Sequence, residues 1–336
     1  VRILHTLASP YWSGPAENVA QLALAQRALG HEVAVAIDRR RNEGPTEEIA
    51  RPHLEALGLL DDGGLELSVK SPPTTMYRDM RRLRSLAVDV VHCHFTHDHF
   101  IARWGRPQRA RLIRSIHAPR SIRRTLPVAD AYTVPFAGLL GSLARRRTVL
   151  LPALVSDVFR PPEDRESLRR ELGIEGRPVI GMVSTFKPSR NHRLALEAFK
   201  VYRREHGQDA VLVLVGDGEE RDGIKSLANS AGLGATTVFS GYQSGPAFVR
   251  WLQALDVAWI LGLGNDWSAR AAAQAQACDV RVVAVDEGAL PSYADAVVTL
   301  DPADIARATA SVRALAKPRE SNEAIARAML DLYVGR

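Results

Sequence analysis

At 336 residues the chain is about twice the length of a typical domain of ~150 residues, which excludes one small module and predicts two domains. Hydrophobic residues make up 46% and charged residues 24%, with 24 Gly and 19 Pro, a composition that excludes a fibrous or disordered chain and leaves a core for each half. The formal net charge of +6 is uneven, because residues 1–150 hold 22 Lys and Arg against 14 Asp and Glu, and the remainder 22 against 24. A basic first half suits an anionic partner such as a nucleic acid, lipid headgroups or a phosphorylated substrate.

The two cysteines, Cys93 and Cys278, are far apart and form no CxxC pair, so neither a disulfide framework nor a cysteine zinc site is expected and a reducing cytoplasm fits. No run approaches the ~18 to 20 apolar residues that span a bilayer, and the opening apolar stretch is too short for a signal peptide. A soluble, cytoplasmic protein is the expectation.

Taken in chain order, β-rich apolar runs alternate with helical stretches, the pattern of parallel sheets covered by helices. In the first half strands are predicted at residues 3–7, 32–37, 65–69, 89–94, 111–116, 131–134 and 148–151. A helix over 16–29 presents Val19, Leu22, Ala23 and Leu29 on one face and stops at Gly30, where a left-handed residue is cheapest as glycine. The proline-punctuated stretch 152–162 reads as a linker. A second series follows, with strands at 179–184, 211–216, 237–240, 257–261, 280–285 and 296–300 and helices at about 189–205, 220–231, 245–254 and 267–277. The end, 320–333, is one more amphipathic helix. The fold class is therefore α/β with two doubly wound domains, 1–152 and 153–318, followed by a C-terminal helix over 319–336 at the domain junction or packed on the first domain. Ligands of such sheets bind at the carboxyl ends of the strands, which makes a cleft between the domains the expected site.

Gly14, in Trp12-Ser-Gly-Pro-Ala-Glu17, follows a predicted strand and opens a helix, where free N–H groups can meet a phosphate; alone, it reads first as a tight turn. The run His92-Cys-His94-Phe-Thr-His97-Asp-His99 places imidazoles at i and i+2 on one strand face. It reads either as a metal site or as a strand entering a polar loop. Basic clusters such as Arg145-Arg-Arg147 are solvated charge or an acceptor or membrane surface, and no aromatic-interleaved platform for nucleic acid is present.

From Ser13 through Gly30-His-Glu-Val33 the chain resembles the opening of the retaining nucleotide-sugar glycosyltransferases of the group 1, family 4-like kind. Further matching segments follow in order: Asp89-Val-Val-His-Cys-His94, Ser115-Ile-His117, Phe159-Arg-Pro161, Leu168-Arg-Arg-Glu-Leu-Gly-Ile174, Arg190-Asn-His-Arg-Leu-Ala-Leu-Glu-Ala-Phe199, Leu212-Val-Leu-Val-Gly-Asp-Gly218, Val238-Phe-Ser-Gly241 and Ala275-Gln-Ala-Cys278. Their order and spacing, across residues 1 to about 300, carry the resemblance.

The resemblance implies a GT-B architecture, an N-terminal acceptor-side domain and a C-terminal donor domain. It implies transfer of a sugar from a nucleoside-diphosphate donor (UDP-, GDP-, ADP- or TDP-sugar) to an acceptor hydroxyl with retention, the acceptor being a glycan, a lipid-linked glycan or a secondary metabolite. No cofactor and no metal is required, and no nucleic acid is a partner. The inner face of the membrane is a candidate surface for the basic first domain. His117 and Asp266 would line the sugar as catalytic residues. Gly14, Lys187, Arg190, Gly216, Gly218 and Gln274 would bind the donor, with Arg190 and Lys187 on the diphosphate. Glu17, Arg120, Arg123 and Arg124 fall on the acceptor side.

The chain departs from the family pattern at named places. Thr185 stands where a basic residue is usual, Asp266 and Gln274 stand at the two positions of a Glu-x7-Glu pair, and Asp279 and Arg281 replace a Gly and a Pro. Asp reaches one methylene less than Glu, and Gln keeps an acceptor without the charge. These changes support a second reading, a degenerate GT-B protein that binds nucleotide or glycan or scaffolds a partner enzyme.

Overall fold

A computed structural model describes residues 1–39, 49–122, 128–264, 267–312 and 320–335. The chain divides into two compact units, Val1–Leu154 with Glu320–Arg336, and Val155–Arg319. Unit 1 runs β1 (Arg2–Leu7), α1 (Gly14–Ala28), β2 (Glu32–Ile37), α2 (Ala50–Ala56), α3 (Pro73–Ser85), β3 (Val90–Cys93), α4 (Thr96–Gly105), β4 (Arg111–Ser115), β5 (Ala131–Val134) and β6 (Thr148–Leu150). Unit 2 continues with α5 (Arg165–Leu172), β7 (Val179–Val183), α6 (His192–Glu205), β8 (Val211–Val215), α7 (Arg221–Ser230), β9 (Thr237–Gly241), α8 (Gly245–Gln253), β10 (Val257–Ile260), α9 (Arg270–Ala277), β11 (Arg281–Val285), α10 (Leu290–Tyr293), β12 (Ala296–Val298) and α11 (Pro302–Ser311). The last helix, α12 (Asn322–Val334), returns to unit 1.

Each unit is one six-stranded sheet of parallel strands, ordered β2-β1-β3-β4-β5-β6 in unit 1 and β12-β11-β10-β7-β8-β9 in unit 2. The expected α/β class is what the structure has. In both sheets the chain starts inside and winds first one way, then the other. The direction reverses between β1 and β3 in unit 1 and between β7 and β10 in unit 2, and those two crevices are where a doubly wound sheet takes its ligand.

The period-2 alternation of β1 explains its two-sided burial: Ile3, His5 and Leu7 face the layer of α1 and α12, while Leu4 lies in the core on the other side with Val91, Cys93 and Ile101. Helix α12 belongs to that first core through Ile325, Ala326, Met329, Leu332 and Tyr333, all buried, and packs along α1. Burying a large apolar side chain is worth roughly 1.5–3 kcal/mol, so this one helix closes unit 1 with several such contributions. In unit 2 the buried Arg169 of α5 pairs with Asp256 at 2.8 Å and with Glu166 at 2.9 Å, and donates to the Ala254 carbonyl. The helix is thereby fastened to the sheet by charge as well as by Leu168.

One expected strand is corrected. Residues 65–69 form no strand, because Leu67 has φ 54° and the Asp79 carboxylate accepts the backbone N–H groups of Glu66 and Leu67 at 3.0 and 2.9 Å. Those amides are satisfied by a side chain rather than a ladder. Two expected helices start later than predicted: α6 after Asn191 at φ 62°, and α9 after Ala269 at φ 53°.

Candidate active site

In unit 2 the loops after β7, β8 and β10 converge at the carboxyl end of the sheet. Gly216 and Gly218 have φ 141° and 152°, and a β-carbon at Gly216 would overlap the Ser184 carbonyl while one at Gly218 would come within 2.6 Å of the Phe186 carbonyl. Glycine is what lets the β8 loop lie directly on the β7 loop. The two are laced together by Ser184 N–H to Val215, Phe186 N–H to Asp217 and Glu220 N–H to Phe186, at 3.0, 2.9 and 3.2 Å.

Beyond Phe186 the chain makes a short turn over Pro188–Arg190, and Asn191 donates from Nδ2 to the Leu261 carbonyl at 2.7 Å. Leu263 N–H donates to the Ser189 carbonyl at 3.0 Å. These bonds join the β7 and β10 loops across the switch crevice, and Arg190 lies between them against Gly262. Arg190 is half-buried, and among the described residues no carboxylate lies within ion-pair distance of it. Lys187 is exposed beside it. Arg190 and Lys187 thus bring two cations to this end of the sheet, charges that suit an anionic ligand.

Gln274 is buried on α9. Asp266 lies outside the described residues. A carboxylate that sequence reasoning passed over stands nearby: Glu287, just after β11, accepts from Gly264 N–H at 2.6 Å through Oε1, while its Oε2 is buried with no hydrogen-bond partner among the described residues. The acidic pair Asp286-Glu287 directly following a buried strand is the signal that would have found it.

In unit 1 Gly14 begins α1 after Ser13, with Pro15 in the first turn and Glu17 half-buried one turn in. Arg120 is exposed in the short turn Pro119–Ser121, and Arg123 and Arg124 lie outside the described residues. His117 sits just beyond β4, its Nε2 3.4 Å from Nδ1 of the buried His94 and its ring stacked on that of His94 with centroids 5.5 Å apart. Burial, with the Arg114 guanidinium second, pushes the His117 imidazole down to about 3. It is neutral at working pH.

Behind it His94, His5 and His92 bring their ring nitrogens within 4.8 Å of one another. Three imidazoles are a donor set that zinc takes. Each of their nitrogens, however, already has a protein partner: His5 meets His94 at 3.0 Å and Gln26 at 2.9 Å, His92 meets Tyr333 at 2.7 Å and Ser115 at 2.8 Å, and His94 also meets His117. The end of β3 is thus a strand entering a polar, hydrogen-bonded cluster, with its three imidazoles within reach of one another. Gln26 and Tyr333 escaped sequence reasoning. Their signal was a polar group on the apolar face of a helix, which by itself names no partner.

Residues 12–151 match the family described as Glycosyltransferase Family 4, and residues 164–330 the family described as Glycosyl transferases group 1. Two doubly wound units with these matches define the class by fold: the chain has the GT-B architecture. Its first part is similar to family 4 domains and its second part to group 1 domains. A 2-deoxystreptamine N-acetyl-D-glucosaminyltransferase of Streptomyces fradiae is 30% identical over 179 residues, 52% of this chain and 42% of that protein. A 2-deoxystreptamine glucosyltransferase of Streptomyces kanamyceticus is 32% identical over 98 residues, 29% of this chain and 25% of that protein. The matches thus span less than half the length of these relatives. Among solved structures, HepE of Anabaena in complex with UDP and glucose covers 100% of both chains with a TM-score of 0.74 at 14% identity, a likeness of fold.

Proposed function

We propose that the protein transfers a sugar from a nucleoside-diphosphate donor to an acceptor hydroxyl with retention of anomeric configuration. The observation that carries this reading is Arg190, held against Gly262 at the switch crevice of unit 2 with no acidic partner among the described residues. On this reading Arg190 and Lys187 neutralise the leaving diphosphate, Gly216 and Gly218 let the donor approach the backbone, and Gln274 takes the ribose. Gly14 offers helix N–H groups to phosphate, His117 and Asp266 meet the sugar, and Glu17, Arg120, Arg123 and Arg124 belong to the acceptor side.

UDP is the first donor to test, since the structural neighbour HepE holds UDP. The names of both Streptomyces relatives support a small aminocyclitol-type acceptor over a polymer. A panel of UDP-, GDP-, ADP- and TDP-sugars, scored for thermal shift and for donor hydrolysis, tests the reading. A shift together with turnover is expected for one nucleotide, and no shift with any of them would end it. The burial of Gln274 where an acid is usual favours a second reading, a GT-B protein that binds without turnover; a shift with no hydrolysis or transfer would select it. Peripheral contact of the basic unit with an anionic membrane surface belongs to the same proposal; among the described residues no helix is long and apolar enough to cross a membrane.

A further inference from the structure

The polar groups behind His117 form one continuous line. His117 Nε2 meets His94 Nδ1, His94 Nε2 meets His5 Nδ1 at 3.0 Å, and His5 Nε2 meets Gln26 Oε1 at 2.9 Å. From the other end of the same amide, Gln26 Nε2 donates to Tyr333 Oη at 3.1 Å. Tyr333 Oη then meets His92 Nδ1 at 2.7 Å, His92 Nε2 meets Ser115 Oγ at 2.8 Å, and Ser115 Oγ meets Thr133 Oγ1 at 2.7 Å. Except for His117, every member is buried, and the residues come from β1, β3, β4, β5, α1, α12 and the segments just after β3 and β4.

A neutral imidazole has one N–H and one bare nitrogen, so each link determines the next. The carbonyl of Gln26 requires a proton on His5 Nε2, which leaves His5 Nδ1 bare. His94 must therefore carry its proton on Nε2, and its Nδ1 is bare in turn. The proton of His117 is then on Nε2, pointing inward. On the other arm the Gln26 amide donates to Tyr333, whose hydroxyl is free to donate to His92 Nδ1, and His92 Nε2–H donates to Ser115. All the donors run in one direction. The pattern holds only while the rings are neutral, because an added proton sets N–H against N–H. Burial keeps them so: His5 is lowered to about 4, and His92 and His94 lie well below the usual histidine range, with Arg114 the cation facing His92, His94 and His117.

We infer that Gln26, through His5 and His94, is a positioning residue that fixes the tautomer of His117, holding its proton on Nε2 and leaving Nδ1 as a bare acceptor. His117 therefore takes a hydrogen bond from a ligand hydroxyl and gives none. A hydroxylated neutral sugar fits such a group, whereas a ligand offering only acceptor oxygens at that place, such as a carboxylate, is repelled. This last consequence rests on the proposed placing of His117 against the sugar; the tautomer does not.

The test uses the whole chain labelled with nitrogen-15 at histidine, without any sugar present. Two-bond nitrogen–proton correlations should show His117, His94 and His5 each as a single Nε2–H tautomer. Gln26→Met, close in volume and without the amide, should lose that signature at His117, both of its nitrogens moving toward the averaged shifts of exchanging tautomers. Gln26→Glu restores an acceptor for His5 and should restore it. An Nδ1–H His117 in the unaltered protein, or a His117 spectrum indifferent to Gln26→Met, overturns the proposal. Kinetics of the folded Gln26→Met protein separate the two readings, since turnover should fall on the order of tenfold, the worth of one neutral hydrogen bond, at unchanged donor KM. A changed spectrum with unchanged turnover would support the relay and remove His117 from the sugar site.

Discussion

Arg190 lies against Gly262 so closely that a β-carbon at 262 would come within 2.9 Å of both its Cδ and its Nη1. The side chain is thus placed by the absence of another. Gly262→Ala should push the guanidinium out of the crevice and weaken nucleoside-diphosphate binding several-fold while leaving the unfolding midpoint nearly unchanged, because a flexible side chain can yield. Arg190→Ala should weaken it by more, a charge-assisted hydrogen bond contributing ~1.5–3 kcal/mol. Isothermal titration with UDP checks both, and equal affinity in the unaltered and Arg190→Ala proteins would take Arg190 out of the phosphate site.

Gly216→Ala is expected to act on the fold instead. Its φ of 141° and the Ser184 carbonyl oppose a β-carbon together, and neither can yield without moving the β7 loop. A destabilisation of about 2–3 kcal/mol is expected, combining strained backbone with overpacking. Chemical denaturation monitored by fluorescence measures it, and a neutral Gly216→Ala would mean that the loops are not so closely laid.

The buried imidazoles predict how stability depends on pH. A folded pKa below the unfolded value of about 6.5 means that the unfolded chain binds the proton first, so stability is fully present above about 6.5 and drains as pH falls. For His5 and His192 the loss continues to about 4, and for His117 and His99 to about 3. Asp98 works in the opposite sense, since burial raises its carboxyl to about 6 and the folded state there binds the proton first. The imidazoles outnumber it. Unfolding free energy should therefore drop between pH 6.5 and 4, and His5→Gln should flatten the slope by about 1.4 kcal/mol per pH unit, the value for one proton. An unchanged slope in His5→Gln would show that His5 is already protonated in the fold.

Gln274 tests whether the missing carboxylate matters. Its side chain is buried on α9, so Gln274→Glu places a charge where solvent is scarce, and the ligand-free protein should unfold at lower temperature. If the ribose sits there, the new carboxylate gains a stronger hydrogen bond and donor affinity rises several-fold, a charged bond exceeding a neutral one by on the order of 1 kcal/mol. Thermal melts with and without UDP resolve the two effects. A lower melting temperature with no gain in affinity would move the ribose away from α9.

The sequence by itself determined the alternation of strand and helix, the doubly wound α/β class, and the ordered segments that resemble group 1 glycosyltransferases, because these are written in local periodicity and short-range spacing. The places of His117, at a strand end, and Arg190, in a turn, were legible for the same reason, each being marked by a short motif. Strand order was not legible, and with it the switch crevices, since which strands pair depends on how whole helices pack. Residues 65–69 looked like a strand by composition, but the distant carboxylate of Asp79 took their amides. Gln26 and Tyr333 are 307 positions apart and meet only because α12 returns to lie along α1. A polar residue on a helical stripe announces that it must be satisfied when buried, and only the tertiary structure supplies the partner, because a hydrogen bond is decided by ångströms between side chains and not by their separation along the chain.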